Sequence, residues 1–348
     1  MNASESRATA HAAPPDFSVK HFSRTFARIG GLLLTVALVM AVFSIISGGL
    51  FLVPDNLLGL LRYMSTLAII GFGLTTVLIV GEIDLSFANL YGLSAMMTAV
   101  AWLNWGWPVW AAILLSLVVA LLVGLFNAFF TTVVGIPSFI ATLGSSTLIF
   151  GVTLLISGAQ RFAPASPPTG KTVDPGEVDF FRSLSNGQLP FGIPMQVIWM
   201  IGIAAIFWVL LNLSLFGFRL KAIGGNETAA RYARLPVRRY KFYAFMIVAV
   251  VTAIAALLDF SFIGSAQPGA GQALLFPAFA AVVIGGASLS GGQGSVIGTL
   301  LGALLLAIIA NGLALLAAGP FVQQMFLGVV TIGAVVLDRF SRNWGKVR

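Results

Sequence analysis

The sequence predicts an all-α, polytopic membrane protein with about ten transmembrane helices, and three observations carry that prediction. Hydrophobic residues make up 58% of the 348 and charged residues only 9%, against about a quarter charged in a typical soluble domain. The apolar residues fall into runs near the roughly 20 residues that a helix needs to cross about 30 Å of hydrocarbon. Lysine and arginine gather between the runs, as the positive-inside bias requires. A soluble enzyme, a disordered chain and a disulfide-stapled secreted domain are thereby excluded. There is no cysteine, and the two histidines, His11 and His21, lie near the N-terminus. Neither a thiolate site nor a histidine zinc site in the membrane is expected, and no metal, cofactor or catalytic residue is assigned. The net charge of +8 lies in connecting segments and forms no basic face, so no nucleic-acid partner is expected.

Residues 1–28 are polar, with Pro14, Pro15 and many small residues, and are expected to be a disordered tail. The membrane domain is expected over 29–338. Its first run, Ile29–Val53, is too long for a signal-peptide core and lacks a clear cleavage site. Leu57–Val80 follows, then a run from about Leu85 to Leu103, with Trp102, Trp105, Trp107 and Trp110 clustered at a short turn where rings sit at headgroup level. Trp107–Val134 ends at Gly135-Ile136-Pro137, and Ser138–Ser157 is the fifth run. Residues 158–194 hold six prolines with mixed charge and read as a long aqueous loop. Met195–Phe216 is the sixth run. The segment 217–241 sets Arg219, Lys221, Arg231, Arg234, Arg238, Arg239 and Lys241 against one acid, Glu227. The last four runs are Phe242–Ile263, Pro277–Ser290, Val296–Ala318 and Val322–Leu337, followed by a basic tail at 339–348. Pro277–Ser290 is short for a full crossing and is expected to be re-entrant or partly unwound. An even number of spans puts both termini on the side of the basic segments, the cytoplasm, and 158–194 outside.

Polar groups among apolar runs are functional hypotheses by default. Glu82 and Asp84, in Gly81-Glu82-Ile83-Asp84, either line a water-filled path at a broken helix, or form a short loop in which Asp84 caps the next helix and Glu82 meets solvent. Asn127 and Asn311 can each bond across helices. Gly294, Gly298 and Gly302, spaced by four, are expected to let another backbone approach closely. Residues 165–172 loosely match a phosphate-binding loop, but Pro167 and Pro168 lack the N–H groups such a loop uses, Val173-Asp174-Pro175-Gly176 is not expected to open a helix, and no nucleotide site is expected. In 217–241, Gly224-Gly225-Asn226 can break the chain and cap a short helix over Thr228–Arg234, with Glu227 in its first turn. An arginine-rimmed helix there suits either a soluble partner or anionic membrane lipid.

Several segments, in order along most of the chain, resemble the membrane-spanning permease subunits of monosaccharide ABC importers of the ribose and xylose type. They are Gly81–Ser86, Asn127, Ile136–Gly144, Ala222–Arg231, Gly264–Pro268, Ala280–Gly286 and Ser288–Thr299. The resemblance implies a homodimer or paired permease, two copies of a cytoplasmic ATP-binding subunit and a periplasmic sugar-binding protein, in the bacterial inner membrane. It implies that Gly224, Gly225, Asn226, Glu227, Ala230 and Arg231 couple to the ATPase, which favours the docking reading. A sugar path would use aromatic and small polar groups, with Phe139, Thr142, Ser265 and Gln267 as candidates beside Glu82, Asp84 and Asn127. Glu82 stands where the family often has glycine, and Leu275, Phe276 and Pro277 replace a more polar element. A rival reading makes Glu82 and Asp84 the site of an ion-coupled secondary transporter. An intramembrane enzyme with a histidine dyad is excluded, because no run contains histidine.

Overall fold

The computed structural model describes residues 19–170, 172–187 and 192–346. Residues 1–18 with His11, and also Lys171 and Pro190, lie outside the described residues. The chain is 78% helical. The helices are α1 (Val19–Ile46), α2 (Pro54–Ile79), α3 (Phe87–Ala99), α4 (Val109–Phe129), α5 (Ser138–Ser157), α6 (Pro175–Asn186), α7 (Met195–Asn212), α8 (Leu215–Gly225), α9 (Glu227–Tyr232), α10 (Val237–Ile263), α11 (Leu275–Ile284), α12 (Val296–Leu315) and α13 (Pro320–Lys346). Among the described residues β-structure is confined to isolated bridges, including Phe162 with Ala266 and Ala163 with Ser166.

Each of the ten apolar runs lies on a helix. Among the described residues, seven helices are long and apolar enough to cross a membrane: α1, α2, α4 with its π-turn at Phe130–Val134, α5, α7, α10 and α12. α2, α10 and α12 form the centre, with α4 and α3 against α10, α7 against α2, α1 against α12, and α13 and α12 against α11. Burial grades accordingly: 67% of the most apolar stretch of α2 is inside, against 28% in α4, α5 and α7. The outer helices keep apolar side chains on their exposed faces, which lipid accepts and water would not.

Close backbone approach locks α11 to α12. A Cβ on Gly298 would lie 1.8 Å from the Gly285 carbonyl oxygen, and one on Gly302 would lie 2.0 Å from that of Ala281. Gly294 serves a different contact: it precedes α12 and faces the side chains of Ile79 and Thr75 on α2. α11 is ten residues long, rising about 15 Å, so it crosses half a bilayer and the segment 264–274 supplies the rest of that passage. Asn56 and Asn311 exchange reciprocal amide hydrogen bonds of 2.9 and 2.8 Å between α2 and α12.

Three segments differ from expectation. α1 already begins at Val19, inside the tail expected to be disordered. α13 continues to Lys346, past the expected boundary at 338. The loop at 158–194 contains α6, started by Asp174, whose carboxylate accepts from Gly176 N–H at 3.3 Å, with Pro175 next and Glu177 in the first turn. Glu177 then accepts from Trp102 Nε1–H at 2.7 Å and from Val109 N–H at 3.3 Å, tying α6 to the turn between α3 and α4.

Candidate functional site

At one end of the bundle, α2 stops through two hydrogen bonds: Gly81 N–H to Leu78 O at 3.0 Å and Glu82 N–H to Val77 O at 3.1 Å. This termination needs a residue with positive φ, and Gly81 has φ 87°. The Ile79 carbonyl left over accepts from Gly292 N–H at 2.8 Å. Gly224, in the last turn of α8, sits against the same carbonyl; a Cβ there would be 1.8 Å from Ile79 O and 2.6 Å from Gly292 N. Three chain segments thus meet backbone to backbone. Asn226 then starts α9 by accepting from Ala229 N–H at 2.9 Å. Ala230 is buried, while Thr228, Ala229, Arg231 and Tyr232 are exposed.

An ionic group completes this end. Glu227 accepts from Arg231 (Nη2–Oε1 2.5 Å) and from Lys241 (Nζ–Oε2 2.7 Å), and Lys241 also lies 2.5 Å from Glu82 Oε1. Burial raises the Glu227 carboxyl, but the bonds from Lys241 and Arg231 outweigh it and hold the group below the ordinary carboxylate range. A cleft of about 460 Å³ opens beside the group, between Glu82, Arg231, Arg238 and Lys241 and the backbone turn at 133–137.

Beyond Glu82 the chain runs without helix over 82–86, against the first turns of α5. Ile83 N–H donates to Ser138 Oγ at 3.1 Å and Leu85 N–H to Thr142 Oγ1 at 3.1 Å, while Ser146 Oγ–H donates to Leu85 O at 3.3 Å. Eight residues along α5 is about 12 Å, so this non-helical stretch descends well into the bundle. Its backbone groups have no helical partner, and the α5 hydroxyls satisfy them. Asp84 is buried and accepts from Ser86 N–H at 2.7 Å and Ser86 Oγ–H at 2.6 Å. Asn127 on α4 donates to Ser86 Oγ at 2.7 Å.

A second segment without α-helix, 264–274, ending in a 3-10 turn at Gln272–Leu274, enters from the opposite end and meets the first at the start of α3. A Cβ on Gly271 would lie 1.9 Å from Ala88 O, and one on Gly92 would lie 2.3 Å from Pro268 O. Asn89 donates to Ser146 O at 3.0 Å and Ser146 Oγ at 2.9 Å, and its own oxygen accepts from Gln272 Nε2 at 3.4 Å. Below this junction Asp259 of α10 accepts from Thr66 Oγ1 at 2.8 Å and from the Tyr91 hydroxyl. Two interrupted segments from opposite faces, meeting at depth among neutral donors and acceptors, form the arrangement in which transporters place solute sites.

A family profile described as the permease component of branched-chain amino acid transport systems matches residues 56–335. The ribose import permease protein RbsC of Bacillus subtilis is 37% identical over 319 residues, covering 92% of this chain and 95% of that protein. The chain belongs to this ABC permease family. The autoinducer 2 import system permease protein LsrD of Klebsiella pneumoniae is 36% identical over 80% of the chain and 82% of its own length. The xylose transport system permease protein XylH of Haemophilus influenzae is 29% identical over 90% and 96%. The permease is a multi-pass membrane protein and a transport component, with ATP hydrolysis residing in a separate subunit.

The permease brings Asp84, Asn127 and Thr142 together around the 82–86 stretch. Glu82 turns away from them to Lys241 and lines the cleft at the α9 end. Ser265 and Gln267 lie on the second segment, flanking Ala266, which pairs with Phe162. Phe139 is 51% exposed on the outer face of α5 and does not join the junction within one subunit. Of the glycine pair on α8, Gly224 is enclosed, whereas a Cβ on Gly225 would meet nothing within 4 Å. Sequence reasoning missed Asn89, Gln272 and Asp259. Asp259 alone carried a signal, as a single acid inside the apolar run Phe242–Ile263.

Proposed function

We propose that the permease is the membrane subunit of an ATP-driven importer that takes a monosaccharide or related polyol across the bacterial inner membrane by alternating access. Two permease copies, identical or paired, would form the path. Two ATP-binding subunits would dock at the α9 end and a periplasmic sugar-binding protein at the α6 end, with both termini cytoplasmic. The arginines and lysines of 217–241 favour that orientation, and their contact with anionic lipid headgroups would anchor it.

The observation that carries the reading is the chemistry of the junction. Asn89, Ser146, Thr142, Gln272 and Gln267 offer amides and hydroxyls and no free charge, which suits a neutral polyol whose hydroxyls both donate and accept. The names of the relatives, for ribose, xylose and autoinducer 2, point to small oxygenated solutes. The exposed face of α9, fixed to the bundle through Ile79 and Lys241, supports the docking of a soluble motor. Motion there would change the relative stability of two access states, which is how binding energy shifts such an equilibrium.

The test is uptake by proteoliposomes holding the permease with its ATP-binding and sugar-binding partners, preceded by a thermal-shift screen of the binding protein against a sugar panel. Sugar accumulation that needs internal ATP and all three components is expected. Accumulation by the permease alone, driven by a proton or sodium gradient, would overturn the reading.

A further inference from the structure

We propose that Lys241 is a positioning residue that ties α9 to the unwound stretch at 82–86, so that displacement of the docking helix is delivered into the membrane-embedded junction. This rests on the docking role of α9 proposed above and names the link that such a role requires.

Lys241 lies near the start of α10 and holds two carboxylates from two other elements, Glu227 of α9 at 2.7 Å and Glu82 at 2.5 Å. The Lys241 and Glu82 side chains are 14% and 10% exposed, so water screens this pair little, and each charge depends on its partner. The two acids differ in what else they have. Glu227 also pairs with Arg231, whereas Glu82 has no other ion pair among the described residues. Lys241 is therefore the sole ionic tie between α9 and Glu82.

From Glu82 onward the chain is non-helical as far as Ser86 and is fastened at Ile83 and Leu85 to α5 hydroxyls. With Ile83, Leu85 and Ser86 each held through the backbone N–H by a side chain, the stretch has little slack with which to absorb a pull. Movement of Glu82 is passed to Leu85, and from there to the Asp84–Ser86–Asn127 chain and Asn89, which bonds the second segment through Gln272. The hydrogen bonds to Ser138 and Thr142 and from Ser146 are weak enough individually to exchange as the segment slides.

The experiment measures sugar moved per ATP hydrolysed in proteoliposomes of the full complex. Glu82→Ala leaves Lys241 paired with Glu227 and strands no buried charge, so it is expected to insert and assemble. Sugar moved per ATP should fall by about tenfold or more, the scale of a lost coupling free energy. Lys241→Arg, which keeps both contacts in reach, should stay within about threefold of the native ratio. A native ratio in Glu82→Ala overturns the proposal, as does a loss in Lys241→Arg equal to that in Glu82→Ala. Glu227→Ala separates the two levels. If it lowers the ratio while Glu82→Ala does not, the link fails and docking stands. If neither lowers it, the docking role fails as well.

Discussion

The α9 end and the mid-depth junction solve the same problem, broken helices that must be held together, by opposite means. At the α9 end the fixings are permanent: glycine backbones against the Ile79 carbonyl, and the charges of Glu82, Lys241, Glu227 and Arg231. At the junction the fixings are mostly neutral and numerous: Ser138, Thr142 and Ser146 on the non-helical backbone of 83–85 and Asn89 on Ser146, with the Asp84 carboxylate turned back onto Ser86. Charges are tolerable near water and costly at depth. Steric locks resist displacement, whereas hydroxyl contacts can be broken and remade at about 1 kcal/mol each. The difference teaches that one end is built to transmit motion and the other to undergo it.

Substitutions can break that contrast, and the largest effect is expected at Gly224. Gly224→Val drives a side chain into two backbones that cannot move aside, and transport should be lost. Gly225→Ala, one residue on and facing open space, should keep near-native uptake. Equal losses in the two would show that the lock is not steric. Gly298→Val should cost roughly 2–4 kcal/mol through overpacking of α11, read as a lowered unfolding temperature in detergent. Asp259→Leu leaves the Tyr91 and Thr66 hydroxyls facing an apolar group, and a loss of about 2–3 kcal/mol is expected by the same measurement. Smallest are the neutral contacts. Asn127→Leu should cost about 1–2 kcal/mol, and Asn311→Ala about 1–2 kcal/mol for the stranded Asn56 Oδ1, since the Asn56 amide N–H keeps Phe51 O. If Asn127→Leu proved as damaging as Gly224→Val, the junction would be a rigid lock too.

Much of this was legible in the sequence because lipid imposes length and apolarity on every crossing. α5 occupies Ser138–Ser157 as the run between Pro137 and Gly158 suggested, and Asn226 with Glu227 marked the start of α9. The short passage of α11 followed from its length alone. α6 was also readable: Asp174, Pro175 and Glu177 carry a helix-start pattern, which the surrounding prolines obscured. The site was less legible because its contacts join residues far apart in the chain. Nothing near Glu82 announces Lys241, and nothing near Asn89 announces Ser146 or Gln272. Membership of the family came from ordered local segments, whereas the ionic link and the junction are products of packing.

α5 turns most of its small hydroxylated residues inward, Ser138, Thr142, Ser145, Ser146, Thr153 and Ser157, together with Ile149, and its Phe139, Ile140, Leu143, Thr147, Leu148 and Leu155 outward. The two flanks are therefore under different kinds of constraint. The outer flank is asked only to be oily, and can drift freely among large aliphatic and aromatic types. The inner flank is asked to be small, so a single added methylene there is felt by every neighbour. A saturation screen of this helix would return a tolerance map that is the mirror image of one from a water-soluble helix.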